Sequence, residues 1–292
     1  MRRFLLFLGA CSLFGLAAVY ALGSLLLKPD RATVGPPPDG VGGEAMRFAS
    51  RSGADLAAWV VPGTCGCGAV VVLHGVKADR RSMVGRVRLF HEAGYAVIAA
   101  DLQAHGESTG DAITFGHRER LDAVSTVAFA RRQFPGQPVA VVGVSLGGAA
   151  ATLAGPVLDA DAVVLEAVYA DIDSATRNRL RMRGGDLAAA FAPLLLTQLP
   201  LRIGVSTRDL RPADAVRGLR GPVLVVGGTE DKHTTPVDTE RLFAAAPEPK
   251  ALWWVEGAAH VDFLSAEPDG YRRHVLGFLE DHLADRPGAT PP

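Results

Sequence analysis

Seven short apolar runs, rich in valine and bounded by glycine and proline, constrain this chain more than any other feature. They are Ala57 to Val61, Ala69 to Leu73, Ala96 to Ala100, Val139 to Val142, Ala162 to Leu165, Val223 to Val226 and Ala251 to Val255. Nearly all are continuously apolar rather than alternating. That pattern marks strands covered on both faces, as in a parallel sheet. Helical patterns separate them: Arg81 to Ala93, Arg118 to Phe134, Leu146 to Leu153, Pro236 to Ala246 and Tyr271 to Ala284. The last carries Val275, Leu276, Phe278, Leu279 and Leu283 as an apolar stripe. Alternating strands and helices predict an α/β domain with a mostly parallel, doubly wound sheet.

Composition agrees and narrows the function. Hydrophobic residues make up 48% of the 292 and charged residues 21%, enough for a large core. Thirty Lys+Arg against 31 Asp+Glu leave a formal charge of −1, which argues against nucleic acid as a partner. Three cysteines cannot build a disulfide framework, and no Cys/His spacing resembles a metal site. Cys65 and Cys67 sit in a turn where oxidation would give a strained pair; the reading adopted is an uninvolved loop.

The ends of the chain read differently. Met1-Arg2-Arg3 precedes an uncharged run from Phe4 to Leu27, long enough to cross the roughly 30 Å hydrocarbon layer as a helix. A retained signal anchor over residues 1–28 is the preferred reading, because the apolar sequence continues through Leu25-Leu26-Leu27. A cleaved signal peptide is the alternative, and a lipoprotein signal ending at Cys11 fits poorly. The leading arginines place the remainder outside the cytoplasm, membrane-anchored, or secreted or periplasmic if the segment is cut. Residues 29–43, with Pro36-Pro37-Pro38, read as a semi-stiff linker, and 285–292 as a flexible tail. Within the domain at 44–284, the stretch 169–215 breaks the rhythm and predicts short helices over the sheet, a packing insert or a substrate-gating cap.

The chemistry centres on Gly143-Val144-Ser145-Leu146-Gly147, between a strand and an apolar helix. There G-x-S-x-G lifts a serine hydroxyl above the sheet edge on a tight turn that the glycines permit. At these residues the chain resembles the α/β-hydrolase family, over roughly 45 to 284. The resemblance implies an acid and a histidine after later strands: Asp231 in Gly228-Thr229-Glu230-Asp231, with Glu230 as rival, and His260 in Gly257-Ala258-Ala259-His260, with His233 as rival. A serine hydroxyl needs an imidazole to take its proton, and that imidazole needs a carboxylate to hold its tautomer. Leu73-His74-Gly75-Val76 resembles the family's oxyanion turn, which implies the Val76 and Leu146 N–H groups as the oxyanion hole and His74 as a brace. Asp101-Leu102-Gln103-Ala104-His105-Gly106-Glu107-Ser108 resembles the family's D-x-R-G-H-G-x-S loop. It departs at Gln103 and Ala104, which puts the loop's charge network in doubt; Asp101 and His105 are read as loop-bracing.

These residues together predict a serine hydrolase that cleaves an ester, thioester or amide through an acyl-enzyme, with no cofactor and no metal. The resemblance points to the lysophospholipase-like and prolyl-oligopeptidase-like branches, esterase or lipase ahead of peptidase. The expected partners are a small-molecule or lipid acyl ester, and a membrane through the N-terminal helix. Two other classes remain open: a non-catalytic scaffold of the same fold at the cell envelope, and a haloperoxidase-like or carbon–carbon bond hydrolase.

Overall fold

Each predicted run is a strand in the computed structural model, which describes residue 15 and residues 17–283. The main sheet comprises β1 (Glu44–Ala49), β2 (Asp55–Val61), β3 (Ala69–Leu73), β4 (Ala96–Ala100), β5 (Val139–Val144), β6 (Ala162–Glu166), β7 (Val223–Gly228) and β8 (Lys250–Val255). Their spatial order is β8-β7-β6-β5-β3-β4-β2-β1. The six strands from β3 onward run parallel, while β2 is antiparallel to both β4 and β1. Only β1 was absent from the expected set. It is an edge strand, mostly exposed, and lacks the buried-strand signature.

The continuous apolar runs are explained by two cores. Along β3, Ala69, Val71 and Leu73 enter one cluster while Val70 and Val72 enter the other. Helices Glu119–Gln133, Leu146–Ala154 and Pro236–Ala245 cover the first face; Val84–Glu92 and Gly277–Leu283 cover the second. Burying one valine side chain is worth about 1.5–3 kcal/mol, so two-sided burial of the central strands contributes heavily to the fold's stability. Parallel alignment also puts the carboxyl ends of β5, β6, β7 and β8 along one edge, where the loops carrying Ser145, Asp231 and His260 emerge.

The insert is more helical than its interrupted sequence suggests. Helix Ile172–Ala189 kinks at Gly184-Gly185, where Gly185 takes a φ of +64°, and helices Ala192–Leu196 and Leu199–Ile203 follow. Residues 29–43 do not form a free spacer. Asp30–Arg31 pairs with His105–Gly106, the Glu107 carboxylate accepts the Val34 N–H at 3.0 Å, and the Trp59 indole N–H donates to the Gly35 carbonyl at 2.9 Å. Cys65 and Cys67 are joined by a disulfide, contrary to the uninvolved-loop expectation. The intervening Gly66, at φ +66°, turns the backbone tightly enough to bring the two together.

Of the N-terminal segment, residues 1–14 and 16 lie outside the described residues, as do 284–292, which hold the expected tail and the last residue of the final helix. The described part includes the apolar helix Ala17–Leu27; no single helix among the described residues is long and apolar enough to cross a membrane. That helix lies on the insert. The Gln198 amide donates to the Val19 carbonyl at 3.1 Å, Arg202 donates to Ser24 Oγ at 2.9 Å, and the Arg202 guanidinium stacks 3.9 Å from the Tyr20 ring centroid. At its end, Ile113 N–H donates to the Leu27 carbonyl at 2.9 Å.

Candidate active site

Ser145 occupies a turn that only tight packing sustains. Its backbone stands at φ 50°, ψ −107°, a conformation costly for a residue with a side chain. The flanking glycines are obligatory: a Cβ on Gly147 would lie 2.3 Å from the Leu73 carbonyl oxygen, and one on Gly143 would lie 2.6 Å from Gly148 Cα. The turn is anchored by Ser145 N–H to the Glu166 carbonyl at 2.8 Å and Gly147 N–H to the His74 carbonyl at 3.0 Å. Neither Val76 N–H nor Leu146 N–H has a backbone or side-chain acceptor among the described residues, and both residues line the same cavity as Ser145.

His74 holds that turn in place. Its Nε2 accepts the Leu102 N–H at 3.0 Å, so the neutral ring carries its proton on Nδ1 and donates to the Gly75 carbonyl at 2.7 Å. Burial, then the neighbouring His105, push the His74 pKa down to about 3. His105 is likewise wholly buried, with Nδ1 2.9 Å from the Gln103 carbonyl oxygen. Both rings thus bond backbone groups of the loops around them.

The departures at Gln103 and Ala104 are accommodated. Arg80, at the start of the short helix Arg80–Met83 after β3, forms a buried ion pair with Asp101 and a second with Glu107, supplying a guanidinium to the loop. Gln103 bonds Glu119 instead, at 2.9 Å, and Ala104 adopts φ +62°, the left-handed conformation that a glycine takes more cheaply. Sequence reasoning missed Arg80, because nothing local ties it to residues twenty positions on.

At the other end of the site Asp231 and His260 meet. Asp231 is buried and its Oδ2 lies 2.7 Å from His260 Nδ1. Thr234 Oγ donates to the same oxygen at 2.6 Å, while the His233 and Thr234 N–H groups donate to Oδ1 at 2.7 and 3.0 Å. Burial pushes the carboxyl's pKa up, but the His260 ring and these donors more than offset it and hold it below the ordinary range. Glu230, the rival acid, is exposed. The rival His233 makes no ring contact with Asp231; its ring packs 4.8 Å from that of His260. Thr234 was missed, although Asp followed three positions later by threonine is a sequence signal for a turn capped by its own side chains. Among the described residues Ser145 Oγ and His260 Nε2 have no hydrogen-bond partner. In substrate-free enzymes such contacts are often long and tighten only when substrate binds.

A further ionic group joins these loops and was also missed. Buried Arg86 pairs with Glu166 at the end of β6 and, at 2.6 Å, with Asp262, two residues beyond His260. Tyr271 Oη donates to Glu166 at 2.6 Å. Because Ser145 hangs from the Glu166 carbonyl, one guanidinium ties the serine turn to the histidine loop.

Above Ser145 lies a cavity of about 290 Å³, walled by the insert and by the N-terminal helix through Leu22, Gly23, Leu26 and Leu27. Phe115, Ile172, Leu195, Leu196 and Leu199 complete an apolar surface. Among the described residues no group of acids, histidines and cysteines is arranged to hold a metal ion.

A tight serine turn at the end of the fifth strand, an aspartate–histidine pair after the seventh and eighth, and a helical insert above them give the arrangement of an α/β-hydrolase. The serine aminopeptidase S33 family of hydrolases matches residues 65–217, over half of the chain, and the protein belongs to that family. Among curated proteins it is 26% identical to the uncharacterized protein YqkD of Bacillus subtilis over 216 residues, spanning 73% of this chain and 71% of the relative. It is 28% identical to human ABHD12B over 177 residues, 58% of this chain and 47% of that protein. The fold is shared with the Pyrococcus furiosus esterase Pf2001, at a TM-score of 0.72 and 19% identity over 88% of this chain and 99% of that one. It is shared too with the Paleococcus ferrophilus monoacylglycerol lipase, at 0.58 and 21% over 78% and 99%.

Proposed function

We propose that this hydrolase cleaves a carboxylic ester with a long acyl chain through a Ser145–His260–Asp231 triad. The observation that carries the reading is the 2.7 Å contact between the buried Asp231 carboxylate and His260 Nδ1, on the sheet edge that also bears the Ser145 turn. Ser145 Oγ attacks the carbonyl carbon as His260 Nε2 takes its proton. The Val76 and Leu146 N–H groups bond the developing oxyanion, and each such donor is worth about 2.7–4 kcal/mol in the transition state. The imidazolium then protonates the departing alcohol, and water repeats the sequence to release the acid. The depressed Asp231 pKa keeps the carboxylate ionised, as stabilising the imidazolium requires.

The apolar cavity supports an acyl chain as the bound group. Its position against the Ala17–Leu27 helix supports a tethered enzyme drawing lipid esters from a membrane, with the catalytic domain outside the cytoplasm. The peptidase alternative has the family's name in its favour. However, the described residues lining the cavity include no carboxylate to hold a substrate's amino terminus. Hydrolysis of p-nitrophenyl esters of increasing chain length, against an aminoacyl p-nitroanilide, tests the reading. Esters are cleaved with a rate rising with chain length; release of the nitroanilide alone overturns it.

A further inference from the structure

The catalytic cavity carries a charge imbalance that the acyl-chain reading leaves unused. In a protein with a formal charge of −1, the described residues lining this cavity include Lys77, Arg179, Arg183 and Arg202 and no aspartate or glutamate. Two of these cations have structural work: Arg202 fastens the N-terminal helix, and Lys77 Nζ lies 3.4 Å from the Leu25 carbonyl. Arg179 is different. It is half-buried, its one hydrogen bond is to the Ala175 carbonyl of its own helix at 3.3 Å, and no carboxylate among the described residues pairs with it. Arg183, one turn further along, is exposed but also lines the cavity, and among the described residues it has no carboxylate partner either. Their neighbours on the helix are paired: Arg177 lies 3.8 Å from Asp173 and Arg181 2.7 Å from Asp186. The helix therefore neutralises its outward arginines and leaves the inward ones available.

Their placement indicates which part of a substrate they meet. Arg179 interacts electrostatically with Asp231, and both arginines with His233, whose ring packs against His260. The cations thus stand on the histidine side of the cavity, where the alcohol departs, while the leucine-lined wall takes the acyl chain. Cations in a recess with apolar walls focus their field, which raises both capture and affinity for an anion. A guanidinium presents a fork of donors that matches a phosphate or carboxylate.

We propose that Arg179, assisted by Arg183, forms a subsite for an anionic group, phosphate or carboxylate, on the alcohol portion of the ester. The inference rests on the acyl-hydrolase reading and names its substrate class: an acyl ester whose leaving alcohol is negatively charged. Arg179 is then a specificity residue; the bond-breaking steps are unchanged.

The test compares two monomeric, water-soluble substrates, monohexanoylglycerol and its 3-phosphate, in the absence of vesicles. Wild type prefers the phosphate ester by about ten-fold or more in kcat/KM, the worth of one charge-assisted hydrogen bond. Arg179→Met removes most of that preference through KM, Arg179→Lys keeps part of it, and Arg177→Met leaves the ratio as in wild type. Added salt reduces the preference. A wild-type ratio near one overturns the proposal, as does a ratio that Arg179→Met leaves intact. So does a preference for glyceryl half-esters of adipate, with the charge on the acyl side, or one that appears only on anionic vesicles, which assigns the arginines to a membrane surface. Labelling of Ser145 by a neutral fluorophosphonate is recorded for each variant. Labelled enzyme without anion preference refutes the subsite alone, whereas unlabelled folded enzyme refutes the hydrolase reading beneath it.

Discussion

The edge of the sheet and the roof above it are built on opposite terms. Along the edge, Asp231 accepts from three donors besides contacting His260, and Arg86 and Arg80 are buried in ion pairs. The roof, made of the insert and the N-terminal helix, leaves Leu187, Phe191 and Leu201 exposed at 77%, 54% and 90%, and leaves Arg179 with no carboxylate paired to it among the described residues. The contrast separates two duties. Groups that must hold a geometry to within fractions of an ångström are locked by a second layer of hydrogen bonds. Groups proposed to select a substrate face an open apolar space, where one side chain can change without disturbing the hydrogen bonds along the edge.

Substitutions at the edge should therefore cost far more than substitutions in the roof. Asp231→Asn keeps the shape and loses the charge; kcat on a p-nitrophenyl ester is expected to fall about 10⁴-fold. A loss under ten-fold would remove Asp231 from the triad. Arg86→Met strands the buried Glu166 carboxylate, and chemical denaturation is expected to show a loss of about 3–5 kcal/mol. A change below 1 kcal/mol would mean that the serine and histidine loops stand without their shared guanidinium.

His74 gives a pH-dependent version of the same contrast. Its folded pKa of about 3 lies below the usual 6.5, so the unfolded chain binds a proton that the folded one refuses between those values. Stability from this group is complete above about pH 6.5 and is lost as the pH falls toward 3, with a slope of about 1.4 kcal/mol per unit. A His74→Gln variant should unfold with a slope shallower by that amount; an unchanged slope would show that the ring is not held neutral. The smallest effect belongs to the roof. Leu26→Trp narrows the acyl wall and is expected to lower kcat/KM for a dodecanoyl ester by about ten-fold relative to a butanoyl ester, with stability nearly unaltered. Equal losses on both esters would place Leu26 away from the bound chain.

How far the chain could be read in advance follows the same division. β3 and β4 were legible to the residue, because a strand buried on both faces must be apolar throughout. Asp231 and His260 were singled out through the family resemblance, each on a loop after a later strand, and the structure brings the two side chains together. Arg80 and Arg86 were not: a buried guanidinium is specified by carboxylates far along the chain, and one sequence does not announce which will meet. The docking of residues 29–43 on Glu107 was hidden for the same reason, and proline-rich composition pointed to a semi-stiff linker instead.

The most direct test of the central claim is covalent. Purified protein treated with a fluorophosphonate and analysed by peptide mass spectrometry should carry one adduct, on Ser145, and the labelling rate should collapse in His260→Ala while the fold persists. An adduct on another residue, or equal labelling of wild type and His260→Ala, would contradict the account.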